Sequence, residues 1–521
     1  MLATVAKNSF FVLLARIVDV LSAFALIYLI ARYLDLVSFG QYGFIINFVT
    51  LLFPLGYAGI TQITIREVAQ NRQQAKPYLH ASLLLRVGLS IILLGIITFI
   101  TFFIRHDPTG LVLAILMMAL SESFSICSLS FLDILNAYEL MHYDTLSTMI
   151  YRLTTLAITI IVILLNGSLW YLFLALVLAT VAKTIFLFLV YTRKIAPVQP
   201  SSGALEPTHP ILDNHHTLRY LGKQAVPIAI AFLITQAYMK TGVLFLQAFS
   251  TSEQIAIFYA PLRLLFQFQF IPFALSMALF PVFSRAAKNR DCRFPVAPDQ
   301  ESHRPDQPSF ETHQPPDKSE ELINLFIRAF KFSVILCIPV IVSFLLLAKP
   351  IILLIFGSKF SDAVPCLQIL MISFPVTFLE LLMNNFLISI KRQKLILVCN
   401  TLCLITNLIL NMILIPRYGA LGASWSTSIA YLVLFLAFFY FIRQYTGTKS
   451  ILGAFPKPVL AGFGMGAMLY LTTSFNWVIF GILSSIVYLV LIYLVRAITP
   501  RELETIKTIL KPKPNGIKQT I

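Results

Sequence analysis

The residues that could do chemistry in this chain are charged side chains inside long apolar runs. Residues 222–285 contain two such runs, separated by the short polar segment 250–254. Each run exceeds the roughly 20 residues that a helix needs to cross the hydrocarbon core of a bilayer. Lys240 lies inside the first run and Arg263 inside the second. A cation at that depth costs roughly 2.5–3.5 kcal/mol on insertion scales, so it is expected to face a protein interior or a wet cavity.

Nine charged residues lie inside apolar runs, and six of them are cationic. They are Arg16, Arg86, Arg152, Lys183, Lys240 and Arg263 against Asp19, Glu122 and Glu380. Arg86, Arg152 and Lys183 lie near one end of their runs, where a long side chain can snorkel to the membrane surface, and this favours a structural role. The excess of cations predicts a chamber that is net basic.

A basic chamber suits an anionic substrate. Arginine binds phosphate or carboxylate through two parallel hydrogen bonds, and lysine contributes a compact positive charge. We predict that Arg16, Lys240 and Arg263 form a cationic substrate site. Arg16 also precedes Asp19 by three residues on one helix, so the two side chains could neutralise each other, and the spacing leaves both interpretations open.

Carboxylates are the second reactive group. Asp19, Glu122 and Glu380 are the only ones that lie well inside an apolar run, and we predict them as candidate sites of proton or Na⁺ coupling. The chain has no Walker loop and no GxSxG or HExxH motif, so no catalytic residue, cofactor or metal site is predicted. Energy for transport would come from an ion gradient or from the substrate gradient, and we expect a transporter rather than an enzyme.

The composition predicts a membrane protein. Of the 521 residues 58% are hydrophobic and 12% are charged, whereas about 25% of the residues in soluble domains are charged. The formal net charge is +16. In a soluble protein this would suggest nucleic acid as a partner, but here an excess of Lys and Arg in cytoplasmic loops explains it, and no nucleic acid is predicted.

Fourteen apolar runs are predicted as membrane spans. They lie near residues 9–30, 39–60, 81–104, 111–134, 145–166, 168–191, 225–247, 255–281, 325–347, 363–388, 395–415, 420–442, 457–474 and 476–496. With a cytoplasmic N-terminus, the cytoplasmic loops and tails hold 26 Lys and Arg residues and the outer loops 5. The asymmetry predicts a multi-pass protein of the cytoplasmic membrane with both termini in the cytoplasm.

The two halves of the chain repeat one another. A lysine before the first span and an arginine after the second recur at similar spacing in the second half, as Lys7 and Arg66 and then Lys223 and Arg285. Six spans per half insert both halves the same way up. The fold is therefore predicted to be an all-α polytopic membrane protein, with two six-helix bundles related by a pseudo-two-fold axis along the membrane normal.

The predicted domains follow from this repeat. Residues 1–222 form an N-terminal six-helix bundle with a cytoplasmic linker, and residues 223–445 form a second six-helix bundle. Residues 446–521 add a transmembrane hairpin and a basic cytoplasmic tail. The second bundle contains the Pro-rich polar loop 284–320, which is predicted to be disordered and cytoplasmic.

Four stretches carry a resemblance to a known family. They are residues 31–45 (ARYLDLVSFGQYGFI), 135–153, 257–285 and 401–427, the last with the pattern N…N…IP.YGA.GA. On these stretches the chain resembles the O-antigen-type flippases, the polysaccharide-transporter branch of the multidrug/oligosaccharidyl-lipid/polysaccharide superfamily. The resemblance implies fourteen helices, alternating access and a lipid-diphosphate-linked oligosaccharide as substrate. It also implies lumenal cations on spans one and eight, where Arg16 and Arg263 lie.

The resemblance leaves alternatives. Many relatives carry an acidic residue where Lys240 lies, which puts an ion-coupling role for this position in doubt. A cation-coupled multidrug exporter of the same superfamily would favour an acidic chamber. An integral-membrane polysaccharide polymerase or ligase would need a large outer loop, whereas the predicted long loops are cytoplasmic. A scaffolding protein would not need charges at mid-span. The expected partners are the lipid-linked oligosaccharide, membrane lipids, and the glycosyltransferases and polymerase of the same pathway.

Overall fold

The computed structural model describes residues 2–57, 59–198, 214–273, 275–276, 318–472 and 476–497, and for residues 2–17, 198, 214–216, 318–321 and 449–450 it describes the backbone alone. The predicted loop 284–317, the centre of the linker before residue 214 and the basic tail after residue 497 lie outside the described residues. The disorder predicted for loop 284–320 therefore stays a prediction.

Nine α-helices with defined bounds lie in the described residues before the long polar loop. They are α1 (Leu2–Tyr33), α2 (Leu36–Leu52), α3 (Ile60–Gln70), α4 (Ala75–Phe99), α5 (Thr109–Ala137), α6 (His142–Leu164), α7 (Leu169–Lys194), α8 (Asn214–Phe249) and α9 (Ser252–Phe268). The division between the fifth and sixth predicted spans is confirmed, because α6 ends at Leu164 and α7 begins at Leu169. Between them Asn166 has a positive φ of 51°.

Seven further helices follow the loop within the described residues. They are α10 (Lys318–Leu346), α11 (Ala348–Ile355), α12 (Ala363–Ser389), α13 (Gln393–Thr446), α14 (Thr448–Leu452), α15 (Pro456–Thr472) and α16 (Trp477–Leu494). The long helix α13 covers two predicted spans, and Gly419 interrupts it with non-helical backbone angles, φ 55° and ψ −126°. At this kink the side-chain Oε1 of Gln254 accepts a hydrogen bond of 2.9 Å from the backbone N–H of Ala420.

The predicted all-α polytopic fold is confirmed. In the described part of the chain, 11 helical segments are long and apolar enough to cross a membrane. The described residues of the fourteen predicted spans are largely helical, although span 39–60 crosses the break between α2 and α3 and the end of span 255–281 lies outside the described residues. A helix is the expected solution, because the hydrocarbon core offers no hydrogen-bond partner to an unpaired backbone group.

The described helices pack as two compact units. The first comprises residues 1–270 with 352–370 and 400–430, and the second comprises residues 271–351, 371–399 and 431–521. These units are defined by packing, whereas the predicted domain limits at residues 222 and 445 follow from the sequence repeat and stay a prediction.

Two cations of the first unit bind carbonyl groups at the ends of helices. The guanidinium of Arg32, near the end of α1, donates hydrogen bonds to the backbone oxygens of Leu353 and Leu354 at 3.2 and 2.8 Å. Lys359 donates in the opposite direction, to the backbone oxygen of Leu34. Each cation therefore satisfies carbonyl groups at the C-terminal end of the other segment's helix, where orphan carbonyls and the helix dipole favour positive charge.

The second unit has an aromatic and aliphatic core. Phe326 of α10 packs on Phe386 of α12 with ring centroids 4.5 Å apart. The C-terminal hairpin joins this core, since the hydroxyl of Tyr488 on α16 donates a hydrogen bond of 2.8 Å to the backbone oxygen of Ile335. Glu380 is part of α12 in this unit.

Candidate functional site

Arg263 and Tyr259 occupy the same face of α9, one helical turn apart. The helix begins at the N-cap Thr251, and residues four apart on a helix lie above one another. The Tyr259 ring packs against α2, where Gly43 has no side chain: a Cβ there would lie 2.6 Å from Cδ1 of Tyr259. Phe39 of α2 also contacts the Tyr259 ring, with centroids 5.9 Å apart. This close approach of α2 and α9 positions Arg263.

The Arg263 guanidinium has phenolic and acidic neighbours within the first unit. Tyr259, Tyr42 of α2 and Tyr151 of α6 lie within electrostatic range of it, and so does Asp19 of α1. Among the residues that the structure describes, Arg263 makes neither a hydrogen bond nor an ion pair. The hydroxyl of Tyr259 is buried, with the residue 3% exposed, and it has no hydrogen-bond partner in the same part of the chain.

This arrangement can bind an oxyanion. A guanidinium has five N–H donors and a phenol has one O–H donor. A cation removed from water is stabilised by an anion that accepts its hydrogen bonds, and such charge-assisted bonds are about twice as strong as neutral ones. The face of α9 therefore presents two adjacent side chains with unused donors.

Asp19 is bound by an arginine of another helix. Nε and Nη2 of Arg152, on α6, lie 2.6 and 2.5 Å from Oδ1 of Asp19, and the two side chains are about one fifth exposed. The side chain of Arg16 lies outside the described residues, although its backbone is part of α1. The alternative pairing of Arg16 with Asp19 is thus untested, but Asp19 has a partner from α6 that sequence spacing did not reveal.

Lys240 lies in the same unit and within electrostatic range of Arg263 and Glu122. Its ammonium group donates a hydrogen bond of 3.0 Å to the backbone oxygen of Thr50, at the end of α2, and a second one to the Thr50 hydroxyl. Two of the three predicted substrate cations are thus brought together by α8 and α9. The side chain of the third cation, Arg16, lies outside the described residues.

Glu122 and Glu380 belong to different units. Glu122, on α5, lies within electrostatic range of Lys240 and Lys183, and it lines a cavity of about 300 Å³ with Tyr57, Thr61, Gln62 and Ser125. Glu380, on α12, belongs to the second unit, where it takes part in interactions of its own. Neither is hydrogen-bonded or ion-paired to Arg263 within the described residues.

One buried charge network was missed by the sequence analysis. Arg86 and Asp133 are 0% and 1% exposed, and Nη2 of Arg86 lies 2.7 Å from Oδ2 of Asp133. The guanidinium also donates to Oγ1 of Thr61 at 2.8 Å, to Oγ of Ser130 at 3.0 Å and to the backbone oxygen of Gly56 at 3.3 Å. The predicted snorkelling of Arg86 is wrong, because its side chain is fully buried among α4, α5 and the turn after α2.

Asp133 also corrects the inventory of buried acids. It lies one residue before the end of the predicted span 111–134 and is not among the three predicted acids, whereas α5 continues to Ala137. The predicted number of three carboxylates inside the spans is therefore wrong, because Asp133 is at least a fourth. Arg86, in the preceding predicted span, was the only sequence signal for Asp133, because a buried guanidinium needs an anionic partner.

The geometry can now be compared with known proteins. A family model described as polysaccharide biosynthesis protein matches residues 5–287, more than half of the chain. No curated protein sequence matches. Among solved structures, the lipid II flippase MurJ in an inward closed conformation is similar with a TM-score of 0.67 at 16% identity, over 96% of this chain and 100% of its own.

Two further structures share the fold. An inward-facing multidrug resistance transporter of the MATE family, in the MOP superfamily, has a TM-score of 0.63 at 14% identity, over 82% of this chain and 96% of its own. A MOP superfamily transporter from Pyrococcus furiosus, described by a binding pocket of reverse polarity, has a TM-score of 0.55 at 15% identity, over 85% and 97%. At these identities the likeness shows the fold, and the fold is the predicted one.

Proposed function

The chain belongs to the polysaccharide biosynthesis protein family, and on this basis we propose that it is a flippase for a lipid-diphosphate-linked oligosaccharide or a similar anionic polysaccharide precursor. It would move this substrate across the cytoplasmic membrane by alternating access, with both termini in the cytoplasm. The pathway's glycosyltransferases and polymerase would then supply and consume the substrate on the two sides of the membrane.

One observation carries the proposal. The Arg263 guanidinium, within electrostatic range of three tyrosines, makes no hydrogen bond or ion pair with a described residue, and the neighbouring Tyr259 hydroxyl is buried without a partner among these residues. A diphosphate supplies the oxygens that both donors lack. Each such bond is electrostatically stronger in the protein interior than in water, since the effective dielectric constant is lower there.

Lys240 and Arg16 complete the proposed path of the diphosphate. Lys240 lies within electrostatic range of Arg263, so both cations can share the charge of one diphosphate group. Arg16, on α1, is proposed as the cation that meets the substrate first from the cytoplasmic leaflet. Successive cations would offset the cost of moving a charged head group through a medium of low dielectric constant.

Three acids are the candidates for coupling transport to a proton gradient. Glu122, in the first unit, is one of them. Asp19, bound by Arg152, and Glu380, in the second unit, are the other two. If Glu122→Gln, Asp19→Asn and Glu380→Gln variants all transport normally at every pH tested, none of these acids couples transport to protons.

A cation-coupled multidrug exporter is the alternative within the same fold. Such a transporter needs an anionic chamber for cationic drugs. In the described residues, two cations, Arg263 and Lys240, lie within electrostatic range of each other, and the acid Asp19 is already bound by Arg152. The charge balance therefore favours an anionic substrate.

Substitution of Arg263 tests the proposal. Arg263→Ala removes both the charge and the two-pronged donor, whereas Arg263→Lys keeps the charge alone. We expect Ala to abolish export of surface polysaccharide at normal protein levels and Lys to retain part of it. A stable and fully active Arg263→Ala variant would refute the role of this residue in substrate binding.

Cysteine labelling tests the proposed orientation separately. Single cysteines replacing Ser202 and Ser309, in the two long polar loops, should resist a membrane-impermeant maleimide in intact cells and react after lysis. Labelling of either position from outside would contradict a cytoplasmic location of these loops.

A further inference from the structure

The cavity of about 300 Å³ beside Glu122 has the chemistry of a sugar site. One wall is a single face of α5, since Glu122, Ser125, Ile126 and Leu129 follow one another at helical spacing. Tyr57, which follows the 3-10 turn Phe53–Gly56 where α2 ends, also lines the cavity. The break between α2 and α3 thus contributes to the lining together with α5.

Three polar groups in this cavity are unused by the protein. Within the described residues, the Tyr57 hydroxyl, the Ser125 hydroxyl and the Glu122 carboxylate make no hydrogen bond. The other two polar lining groups are engaged: Thr61 accepts a hydrogen bond of 2.8 Å from Arg86, and Oε1 of Gln62 accepts one of 2.9 Å from the backbone N–H of Gly59. The free groups comprise two hydroxyls and one carboxylate, which together can donate to and accept from neighbouring hydroxyl groups.

The apolar part of the lining complements these groups. Ile126 and Leu129 contribute aliphatic side chains. The Tyr57 ring contacts the ring of Phe232 on α8 edge to face, with centroids 5.7 Å apart and the planes at 72°. A pyranose ring has hydroxyl groups around its edge and C–H groups on its faces. A carboxylate and hydroxyls beside an aliphatic and aromatic surface match both features.

One residue of the cavity lining, Glu122, also has an electrostatic link to the cations of the proposed diphosphate site. Glu122 lies within electrostatic range of Lys240, and Lys240 lies within electrostatic range of Arg263. We propose that this cavity binds the sugar ring that is linked directly to the diphosphate. The inference rests on the proposed function and deepens it, because it assigns Tyr57, Glu122 and Ser125 as residues that recognise the first sugar.

The size of the cavity limits what it can bind. Small-molecule sites span about 300–1,000 Å³, so this cavity is at the lower end of that range. It suits one sugar ring rather than an oligosaccharide, and the rest of the glycan would extend out of it.

A bound cation such as Na⁺ would use the same oxygen atoms, since hard cations prefer carboxylate and hydroxyl oxygens. Two ammonium groups, those of Lys240 and Lys183, lie within electrostatic range of Glu122. They neutralise the carboxylate that would hold a further cation. The aliphatic and aromatic side chains of the lining supply no oxygen ligand for a hard cation. The lining therefore favours a neutral sugar.

The test compares two lipids on the purified full-length protein in lipid nanodiscs, without any ion gradient. One is a polyprenyl diphosphate, and the other is the same lipid carrying a single neutral hexose. The wild-type protein should bind the hexose-bearing lipid about tenfold more tightly, a difference of about 1.4 kcal/mol. Tyr57→Phe, Glu122→Gln and Ser125→Ala should each reduce this ratio toward one without weakening the binding of the sugar-free lipid.

Ser123→Ala is the matched control. Ser123 is on the same helix, but its hydroxyl donates to the backbone oxygen of Ala119 at 2.8 Å and is not part of the cavity lining. This variant should keep the wild-type ratio. A ratio of one in the wild-type protein, or a ratio unchanged in all three cavity variants, overturns the proposal.

Failure of the proposed function would look different. Arg263→Ala should weaken the binding of both lipids equally, and if it weakens neither, the diphosphate site itself is wrong. Isothermal titration calorimetry with NaCl, with choline chloride as the control salt, tests whether the cavity binds Na⁺ instead. Sodium binding that is lost in Glu122→Gln, together with a lipid ratio of one, would identify a cation site in place of the sugar site.

Discussion

Arg86 and Arg263 are both arginines within apolar helices of the first unit, yet the structure surrounds them in opposite ways. Arg86 donates to a carboxylate, two hydroxyls and a backbone oxygen. Arg263 lies within electrostatic range of three tyrosines and makes no hydrogen bond or ion pair with a described residue. The first guanidinium uses four of its five N–H donors within the protein, and the second uses none within the described residues.

This difference distinguishes intramembrane charges that stabilise the fold from those that are available to a substrate. A charge whose donors are mostly used within the protein holds helices together, and it has little left for a substrate. A charge with unused donors contributes little to the packing of the protein, and its cost is accepted where a ligand satisfies it. Both residues belong to apolar helices, and their hydrogen bonds distinguish them.

The largest expected effect is on stability at Arg86. Arg86→Ala leaves Asp133 buried without its cation, which costs about 3–5 kcal/mol. Arg263→Ala leaves no paired acid behind and should cost less than about 1 kcal/mol, from lost packing of the side-chain stem. Thermal unfolding of both variants in detergent measures the contrast.

A compensating change sharpens this first comparison. The double variant Arg86→Leu with Asp133→Leu removes both charges and should recover most of the lost stability, because a buried pair is often replaceable by apolar residues. Equal destabilisation by Arg86→Ala and Arg263→Ala would mean that Arg263 is a structural residue as well.

Hydroxyl groups give a second and smaller contrast. Ser130→Ala removes an acceptor of the buried Arg86 guanidinium, and hydrogen bonds to charged groups are worth about 1.5–3 kcal/mol. Tyr259→Phe removes a hydroxyl that has no partner, so the melting temperature should not fall, while the affinity for a polyprenyl diphosphate should. A drop in melting temperature for Tyr259→Phe as large as that for Ser130→Ala would contradict the assignment.

The ion pair of Asp19 and Arg152 is an intermediate case. Both side chains are about one fifth exposed, so solvent screening reduces the pair's contribution below that of Arg86 and Asp133. A double-mutant cycle with Asp19→Asn and Arg152→Gln should give a coupling energy of about 1 kcal/mol. A coupling near zero would show that Asp19 has another principal partner, for which Arg16 is the candidate.

The smallest expected effect concerns a charge outside the membrane spans. Asp35 is the N-cap of α2 and accepts a hydrogen bond of 3.5 Å from the backbone N–H of Ser38. Burial by itself raises the pKa of Asp35, but the bonds from Ser38 and the neighbouring backbone outweigh it and hold the pKa below its ordinary value. The charged form therefore stabilises the fold at neutral pH, and this contribution is lost as the pH falls through the folded-state pKa.

Asp35→Asn isolates this charge, because asparagine is an equally good N-cap. The melting temperature of the variant should be slightly lower than that of the wild type at pH 7, corresponding to about 0.3–1 kcal/mol. The difference should begin to shrink as the pH falls below the ordinary aspartate pKa of about 3.9. It should disappear below the lower folded-state pKa. A difference that persists in acid would have to come from something other than the charge.

The sequence by itself determined the class of fold and the location of the helices. Runs of apolar residues long enough to span a bilayer leave the backbone no alternative to a helix, and for this reason the described residues of the fourteen predicted spans are largely helical. The kink at Gly419 and the short helix Ala348–Ile355 also agree with the pattern of glycine, proline and run length. These features depend on local composition, which a single sequence contains in full.

Only the tertiary structure decided which charges are satisfied. Arg86 and Asp133 are 47 residues apart, and Arg152 and Asp19 are 133 apart, so neither pair follows from helical spacing. Arg263, the deep cation that the sequence singled out with Lys240, gained its significance from the three tyrosines that α2, α6 and α9 place within electrostatic range of it. An ion pair is a property of packed neighbours, and a hydrophobic run specifies that a helix is buried without specifying which helix lies beside it.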